Sequence, residues 1–212
     1  MSTTVLHSDN ALIYTSGMNV DADGCPRAYH PGGGGLDALG NAGHPGNWYG
    51  VVTDTGDEKG TPFIQGPHDP YPGYYVSASA YSDHTKKASD PTRYVDSEHI
   101  CYISVPKEMV PSHGGTVHMG DLCAVLYRGK LVFGLVADDG PTGKYGEASM
   151  ATAAALGIPS SPRNGGCGSG VTYVIFPGTT QPWPRTSYQA DAQAAFEAWG
   201  GLTKLNSILA AT

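Results

Sequence analysis

Two carboxylates near the middle of the chain have the spacing and surroundings that acid–base chemistry needs. Asp138 ends an apolar run typical of a strand and precedes Asp-Gly-Pro, which indicates a tight turn. Glu147 follows at what we interpret as the start of a short helix. Glycosidic hydrolysis uses such a pair, because one carboxyl group protonates the leaving oxygen and the other activates a water molecule. The pair therefore predicts a glycoside hydrolase.

Each carboxylate also has a purely structural interpretation. An Asp before Gly-Pro can shape a turn by accepting hydrogen bonds from the backbone that follows it. An acidic residue in the first turn of a helix is stabilised by the free backbone N–H groups and the helix dipole. The catalytic interpretation of Asp138 and Glu147 thus depends on their combination.

Charge and hydropathy restrict the class of partner. The 212 residues include 19 acidic and 12 basic side chains, a formal net charge of −7, and no basic cluster larger than Lys86-Lys87. We therefore expect no nucleic-acid partner. A negative surface attracts cationic ligands, although solubility alone also explains such a charge. No apolar window approaches the roughly 18 residues of a membrane span, so no membrane partner is expected.

Composition favours a mainly β protein. Thirty Gly and 16 Pro with only 15% charged residues favour short strands and ordered loops. Predicted strands cover residues 11–15, 48–52, 74–80, 99–105, 121–127, 131–137 and 171–176. The segment Arg-Gly-Lys after Tyr127 predicts an antiparallel hairpin. A short helix is predicted over 147–156, and an amphipathic C-terminal helix over 187–209, interrupted at Gly200-Gly201.

Several segments resemble one family of hydrolases. Val-Ala-Asp138-Asp-Gly-Pro, Gly146-Glu-Ala-Ser149 and the upstream segment 120–130 resemble, in order and spacing, the core of the fungal-type chitosanases of glycoside hydrolase family 75. Further similar segments lie at 18–24, 75–79, 94–96 and 171–176, so the resemblance covers residues 15–178. The segment between the two carboxylates is shorter here than in some members.

The resemblance implies a function, a fold and a catalytic pair. It implies an endo-acting chitosanase that hydrolyses β-1,4 bonds between glucosamine units with inversion, needs no cofactor, and uses Asp138 and Glu147. We take Glu147 as the general acid and Asp138 as the general base, with the reverse assignment open. The region around Asp138 also resembles double-psi β-barrels, which gives a six-stranded barrel of that kind with one inserted helix and a C-terminal helical extension.

Chitosan is a chain of protonated glucosamines, so its subsites need carboxylates near ammonium groups and aromatic faces near sugar rings. Residues in the similar segments supply candidates for substrate binding: Asp21, Asp23, Tyr75, Asp96, Asp121, Asp139 and Tyr145. Tyr29 and Trp48 are further aromatic candidates, and core packing is an equally open role for every aromatic residue named. Asp139 next to Asp138 also raises the pKa of one of the pair through like-charge repulsion.

Metal binding is not expected. The segment from Asn19 to Gly24 begins like a calcium-binding EF-hand loop, but position twelve is His30 instead of a bidentate Glu. The histidines and the four cysteines lack zinc-site spacing. Free thiols and one or two disulfides both remain open for the cysteines.

Domain organisation and location complete the expectations. We expect a catalytic domain over 1–180 and a helical extension over 181–212 that packs on it, in a monomer. The family implies secretion, although the N-terminus lacks the basic and apolar regions of a signal peptide. The alternatives are a peptidoglycan-active hydrolase or lytic enzyme on a related barrel, and a carbohydrate-binding module without activity.

Overall fold

A closed β-barrel forms the centre of the structure, which is a computed structural model describing residues 3–211. The strands are β1 Leu6–Ser8, β2 Ala11–Asp21, β3 Gly43–His44, β4 Asn47–Trp48, β5 Tyr102–Pro106, β6 Leu122–Tyr127, β7 Lys130–Gly140, β8 Glu147–Ser149 and β9 Cys167–Phe176. The α-helices are α1 Met150–Leu156, α2 Tyr188–Trp199 and α3 Gly201–Ala210. Four short 3-10 helices lie at Leu39–Ala42, Pro91–Arg93, Lys107–Met109 and Pro111–His113.

Six strands close the barrel in the order β2-β8-β5-β7-β6-β9, with β9 returning to pair with β2. Two neighbouring pairs are parallel, β2 with β8 and β5 with β7, whereas the other pairs in the ring are antiparallel. Strand β1 adds to the outer edge of β2. The prediction of a mainly β, six-stranded barrel with an inserted helix and C-terminal helices is confirmed.

Alternating apolar residues along the strands fill the barrel and cover one side of it. The interior is packed by buried side chains that include Met18, Ile103, Val136 and Tyr173. The residues in between face outward under α2 and α3, where Phe196 and Trp199 are buried. The Trp199 indole also donates a hydrogen bond to the Ser8 carbonyl at 3.1 Å. The amphipathic character of the C-terminal segment thus reflects packing on the barrel.

The predicted hairpin and the break between the C-terminal helices are confirmed. Strands β6 and β7 are joined by Arg128 and Gly129, with φ angles of 47° and 79°, which suit a tight two-residue turn. Helix α2 ends at Trp199, and the next residue, Gly200, has a φ of 126° that interrupts the helical backbone before α3. The four cysteines are free thiols in this structure.

Two predicted strands, at 48–52 and 74–80, are wrong. Backbone pairing there is limited to β4 and to isolated bridges such as Val51 with Ser77. The apolar residues that suggested strands instead form a separate cluster around Tyr29 that includes Trp48 and Val51. Residues 22–94 are therefore mostly irregular chain held by its own small core.

The predicted helix start at Glu147 is also wrong. Residues 147–149 form strand β8, because their backbone pairs with both β2 and β5. Helix α1 begins only at Met150, where the Ser149 hydroxyl accepts a hydrogen bond from Thr152 N at 3.1 Å. Glu147 is thus fixed by a sheet on both sides. Within residues 3–211, no helix is long and apolar enough to cross a membrane.

Candidate active site

The two predicted catalytic carboxylates flank one residue of the central strand of the site. Ser104 on β5 pairs with Asp138 on β7 and with Glu147 on β8. Neighbouring strands are about 4.8 Å apart, which separates the Cα atoms of Asp138 and Glu147 by about 10 Å. The sheet thus brings the pair together at one level of the barrel wall.

A β-bulge in β7 turns Asp138 to the outer face of the barrel. Val136 pairs with Ile103, and both side chains face the barrel interior. Strict alternation would return Asp138 to that interior. The register shifts here, so that Ala137 is an extra residue and Asp138 lies opposite Ser104. A bulge commonly redirects a side chain in this way next to a functional site.

Glu147 faces the same side as Asp138. The next residue on β8, Ala148, pairs with Ile103 and packs in the interior, so Glu147 faces outward. Its carboxylate extends across β5 toward β7, since a methyl group added at Gly140 would lie 3.1 Å from Glu147 Oε2 and 3.6 Å from Ser104 Oγ. Gly140 lies two residues beyond Asp138, on the same face of β7.

Asp138 is partly exposed, and one of its oxygens is held by the backbone. Oδ1 accepts hydrogen bonds from Asp139 N at 2.8 Å and Ala80 N at 3.2 Å. Burial, followed by the nearby Asp21 carboxylate, raises the pKa of Asp138 well above its ordinary value, and the two N–H donors oppose this increase. Oδ2 receives neither backbone donor.

Glu147 is also partly exposed. Burial raises its pKa to about 7, and the Asp21 carboxylate adds to this increase. Lys144 and a hydrogen bond with Ser104 act in the opposite direction because they stabilise the carboxylate anion. Glu147 therefore holds a proton under mildly acidic conditions.

Asp21 and Asp23 lie beside the pair, as the substrate-binding prediction requires. Asp21 ends β2 and is buried, and its oxygens accept hydrogen bonds from Asp23 N at 2.8 Å and the Tyr102 hydroxyl at 3.0 Å. Asp23 is partly exposed. Burial, then the charges of Asp21 and Asp138, raise the pKa of Asp23 well above its ordinary value. Binding of substrate by either residue remains a prediction.

Sequence reasoning missed three residues of this site: Ser104, Tyr102 and Asp37. Asp37 is buried, and its carboxylate lies 3.5 Å from the Tyr29 hydroxyl. Its charge also raises the pKa of Glu147. The one local signal for Asp37 is its position just after the glycine run 32–35. Ser104 and Tyr102 have none, because they lie within an ordinary apolar strand.

Of the predicted aromatic platforms, Tyr75 and Tyr145 are half-buried, whereas Tyr29 and Trp48 are buried. The Tyr75 ring packs 5.8 Å from Trp48. The Tyr145 ring packs 5.1 Å from Tyr14. Burial and the neighbouring Glu108 carboxylate raise the pKa of the Tyr145 hydroxyl. Sugar contact by Tyr75 and Tyr145 stays a prediction. Tyr29 is buried, so its ring presents no face to a sugar.

Three further predicted carboxylates occupy different surroundings. Asp139 pairs with Val105 in register and borders a cavity of about 220 Å³ that His118 also lines. Asp96 closes a local turn, with Oδ2 2.8 Å from His99 Nδ1 and Oδ1 accepting from Glu98 N at 2.9 Å. A substrate role for Asp96 and Asp139 stays a prediction.

The side chain of Asp121 is buried between two loops and hydrogen-bonds to the backbone of both. Its side chain is 0% exposed. Its two oxygens accept hydrogen bonds from Thr179 N at 2.9 Å and His118 N at 2.8 Å. Asp121 therefore joins two loops and presents no surface to a sugar, which contradicts the expectation of a substrate contact. Within residues 3–211, no group of three or more His, Cys, Asp or Glu side chains is arranged to hold a metal ion.

Two partly exposed carboxylates, held on the outer face of the barrel beside Asp21 and Asp23, are compatible with the acid–base pair of a glycoside hydrolase. Comparison with known families agrees. The family described as "Fungal chitosanase of glycosyl hydrolase group 75" matches residues 73–206, a span that includes Asp138 and Glu147. The chain belongs to this family, which makes it a glycoside hydrolase that acts on chitosan. No curated protein matches the sequence.

Proposed function

We propose that the protein is an inverting endo-chitosanase in which Glu147 is the general acid and Asp138 the general base. One observation carries the proposal, namely the shared pairing of both residues with Ser104 across β5. Inversion needs about 6.5–9.5 Å between the carboxyl groups, so that a water molecule fits between base and sugar. The Cα atoms of Asp138 and Glu147 lie two strand spacings apart, about 10 Å, and this separation is compatible with a distance in that range between their carboxyl groups.

The hydrogen bonds support this distribution of roles. Asp138 Oδ1 accepts two backbone N–H donors, which favour the carboxylate anion that a base requires and leave Oδ2 for the attacking water. Glu147, with a pKa of about 7, is protonated under mildly acidic conditions, as an acid must be. Protonation of the leaving oxygen by Glu147 and deprotonation of water by Asp138 then complete the single displacement.

The acidic cluster supports a cationic substrate. Asp21 and Asp23 lie beside the pair, and burial raises the pKa of both carboxyl groups, with added repulsion from Asp37 at Asp21 and from Asp21 and Asp138 at Asp23. The ammonium groups of glucosamine units would relieve this repulsion and lower these pKa values, including that of Asp138. Binding of chitosan thereby ionises the base. A neutral glycan offers no such compensation.

The test is the release of reducing ends from highly deacetylated chitosan. The wild type, Asp138→Asn and Glu147→Gln are compared on the same substrate. We expect both variants to lose activity by several orders of magnitude. In the wild-type reaction, proton NMR should first detect the new reducing ends as the α-anomer, because inversion of a β-linkage forms that anomer. An inert wild type, or a Glu147→Gln variant that still cuts chitosan, would contradict the proposal and favour the peptidoglycan or binding-module alternatives.

The two roles can be separated with an activated leaving group. A chito-oligosaccharyl fluoride needs little help from a general acid, because fluoride leaves readily. Glu147→Gln should therefore keep much of its activity on the fluoride, whereas Asp138→Asn should remain inactive. The opposite result would exchange the two roles.

The remaining features are proposed from the family and the architecture. Endo action is supported by the position of the pair on the outer wall of the barrel, and a rapid fall in chitosan viscosity relative to reducing ends would test it. We also propose a secreted monomer with a catalytic domain over 1–180 and a helical extension over 181–212. The family match ends at residue 206, within that extension. Deletion of 181–212 would test whether the domain folds alone.

A further inference from the structure

The guanidinium of Arg163 contacts the loop of residues 33–37. Its Nη2 donates to the carbonyl oxygens of Gly33, Gly35 and Asp37 at 3.1, 2.9 and 3.0 Å. Its Nε donates to the Leu36 carbonyl at 3.1 Å. A guanidinium is permanently charged and planar, so it can bind several carbonyls of one turn at once. The side chain of Arg163 thus holds the backbone of residues 33–37.

This loop packs closely on the segment that carries Tyr29. The amide of Asp37 donates to the Ala28 carbonyl at 3.0 Å. A methyl group added at Gly35 would lie 2.2 Å from the same carbonyl oxygen, so the two backbones touch. Displacement of the loop would therefore displace Ala28 and Tyr29 with it.

Tyr29 connects this loop to Asp23, one of the carboxylates beside the proposed catalytic pair. Its hydroxyl donates to Asp23 Oδ1 at 2.7 Å and lies 3.5 Å from Asp37 Oδ2. The Asp37 carboxylate is itself fixed, because both of its oxygens accept from Asn41 Nδ2 at 2.9 and 3.0 Å. Arg163, Asp37 and Tyr29 thus form a continuous set of contacts that ends at Asp23.

We propose that Arg163 is a positioning residue for hydrolysis, which fixes the Asp23 carboxylate beside Asp138 and Glu147 by holding the 33–37 loop against Tyr29. The proposal rests on the proposed chitosanase function. Arg163 touches no catalytic residue, so it acts only through Tyr29 and Asp23. It was not marked by any motif, because the contact joins segments that are far apart in the sequence.

A double-mutant cycle separates positioning from a general structural role. Arg163→Ala and Tyr29→Phe are each expected to lower kcat/KM on chitosan by about ten- to a hundredfold, as for loss of a hydrogen bond to a charged group. If Arg163 acts through Tyr29, Arg163→Ala has little further effect in the Tyr29→Phe background. Lys87→Ala is the matched control, because it removes one exposed positive charge and should leave kcat/KM unchanged.

A second readout is independent of turnover. The Tyr29 hydrogen bond lowers the pKa of Asp23, whereas burial and the carboxylates of Asp21, Asp138 and Glu147 raise it. Both variants should therefore move the Asp23 titration to higher pH, measured by carboxyl carbon NMR on the folded protein. Lys87→Ala should not move it.

The outcomes distinguish the two proposals. An inert wild type with the expected Asp23 shifts would reject the chitosanase function and keep the positioning role. An active wild type with additive kinetic effects, or with no Asp23 shift in Arg163→Ala, would overturn the positioning role. A variant that only unfolds at lower temperature, with wild-type kcat/KM, would overturn it as well.

Discussion

The carboxylate of Glu147 lies over Gly140, a residue two strands away. Oε2 would be 3.1 Å from a methyl group placed there, closer than side chains normally approach. Gly140 shares its face of β7 with Asp138, so the absence of a side chain at 140 leaves room for the Glu147 carboxylate on the face that carries Asp138. Gly140 has no left-handed φ, so its role is one of space.

Gly140→Ala should lower kcat on chitosan several-fold, because the Glu147 carboxylate must move by a few tenths of an ångström and a misplacement of about 1 Å costs about a hundredfold. The added methyl pushes the Glu147 carboxylate away from Ser104 while the backbone remains unstrained. Gly168→Ala is the control, because Gly168 lies in β9 with no atom near its added methyl group. Equal kcat for Gly140→Ala and the wild type would show that Glu147 does not occupy this position.

Asp138→Asn should be inactive yet more stable at neutral pH. Both backbone donors bind Oδ1, which an amide oxygen can replace. Because the folded-state pKa of Asp138 is raised, wild-type stability falls as pH rises from the unfolded pKa, about 3.9, toward the folded value. Asp138→Asn avoids this loss of stability, which is about 1.4 kcal/mol for each unit by which the folded-state pKa exceeds the unfolded-state pKa.

Thermal unfolding at several pH values checks this prediction. A gain of 1 kcal/mol corresponds to about 2–4 °C in a protein of this size. The gain in Tm should be present at pH 7 and disappear below about pH 4, where both states of the wild type are protonated. A variant that is less stable than the wild type at pH 7 would show that Asp138 is stabilised as an anion.

The pH dependence of kcat/KM should report on Glu147. As the acid, Glu147 must be protonated, so activity on a soluble chito-oligosaccharide should fall as pH rises through about 7. Lys144 lowers the pKa of Glu147, and Lys144→Gln should therefore move this fall in activity to higher pH. Lys87→Gln, with the same change of charge, should not. Activity that increases through pH 7 would instead make Glu147 the base.

Asp121→Ala should destabilise the fold without changing the chemistry. The substitution removes the acceptor of the His118 and Thr179 amides, and each of these part-buried hydrogen bonds contributes about 1 kcal/mol. We expect a Tm several degrees lower and an unchanged KM for chitosan in the folded fraction. A raised KM at wild-type Tm would restore the substrate-binding role first expected for Asp121.

Local patterns explain which parts of the fold could be predicted. Apolar alternation marked β5, β6, β7 and β9, and the glycine-containing turn after Tyr127 marked their hairpin. The same patterns failed at residues 74–80, where apolar side chains pack in a small core without continuous strand pairing. They also failed at Glu147, because pairing with β2 and β5 overrides the helix that continues from Met150.

The sequence by itself determined the family and the two candidate carboxylates, because the motifs around Asp138 and Glu147 are local information. Only the tertiary structure decided how they meet. The bulge at Ala137 turns Asp138 outward, and strand β5, paired between β7 and β8, separates the two strands that carry the pair. Asp37 and Arg163 enter the site through contacts between segments distant in sequence. Such contacts depend on barrel closure and loop packing, which no local pattern records.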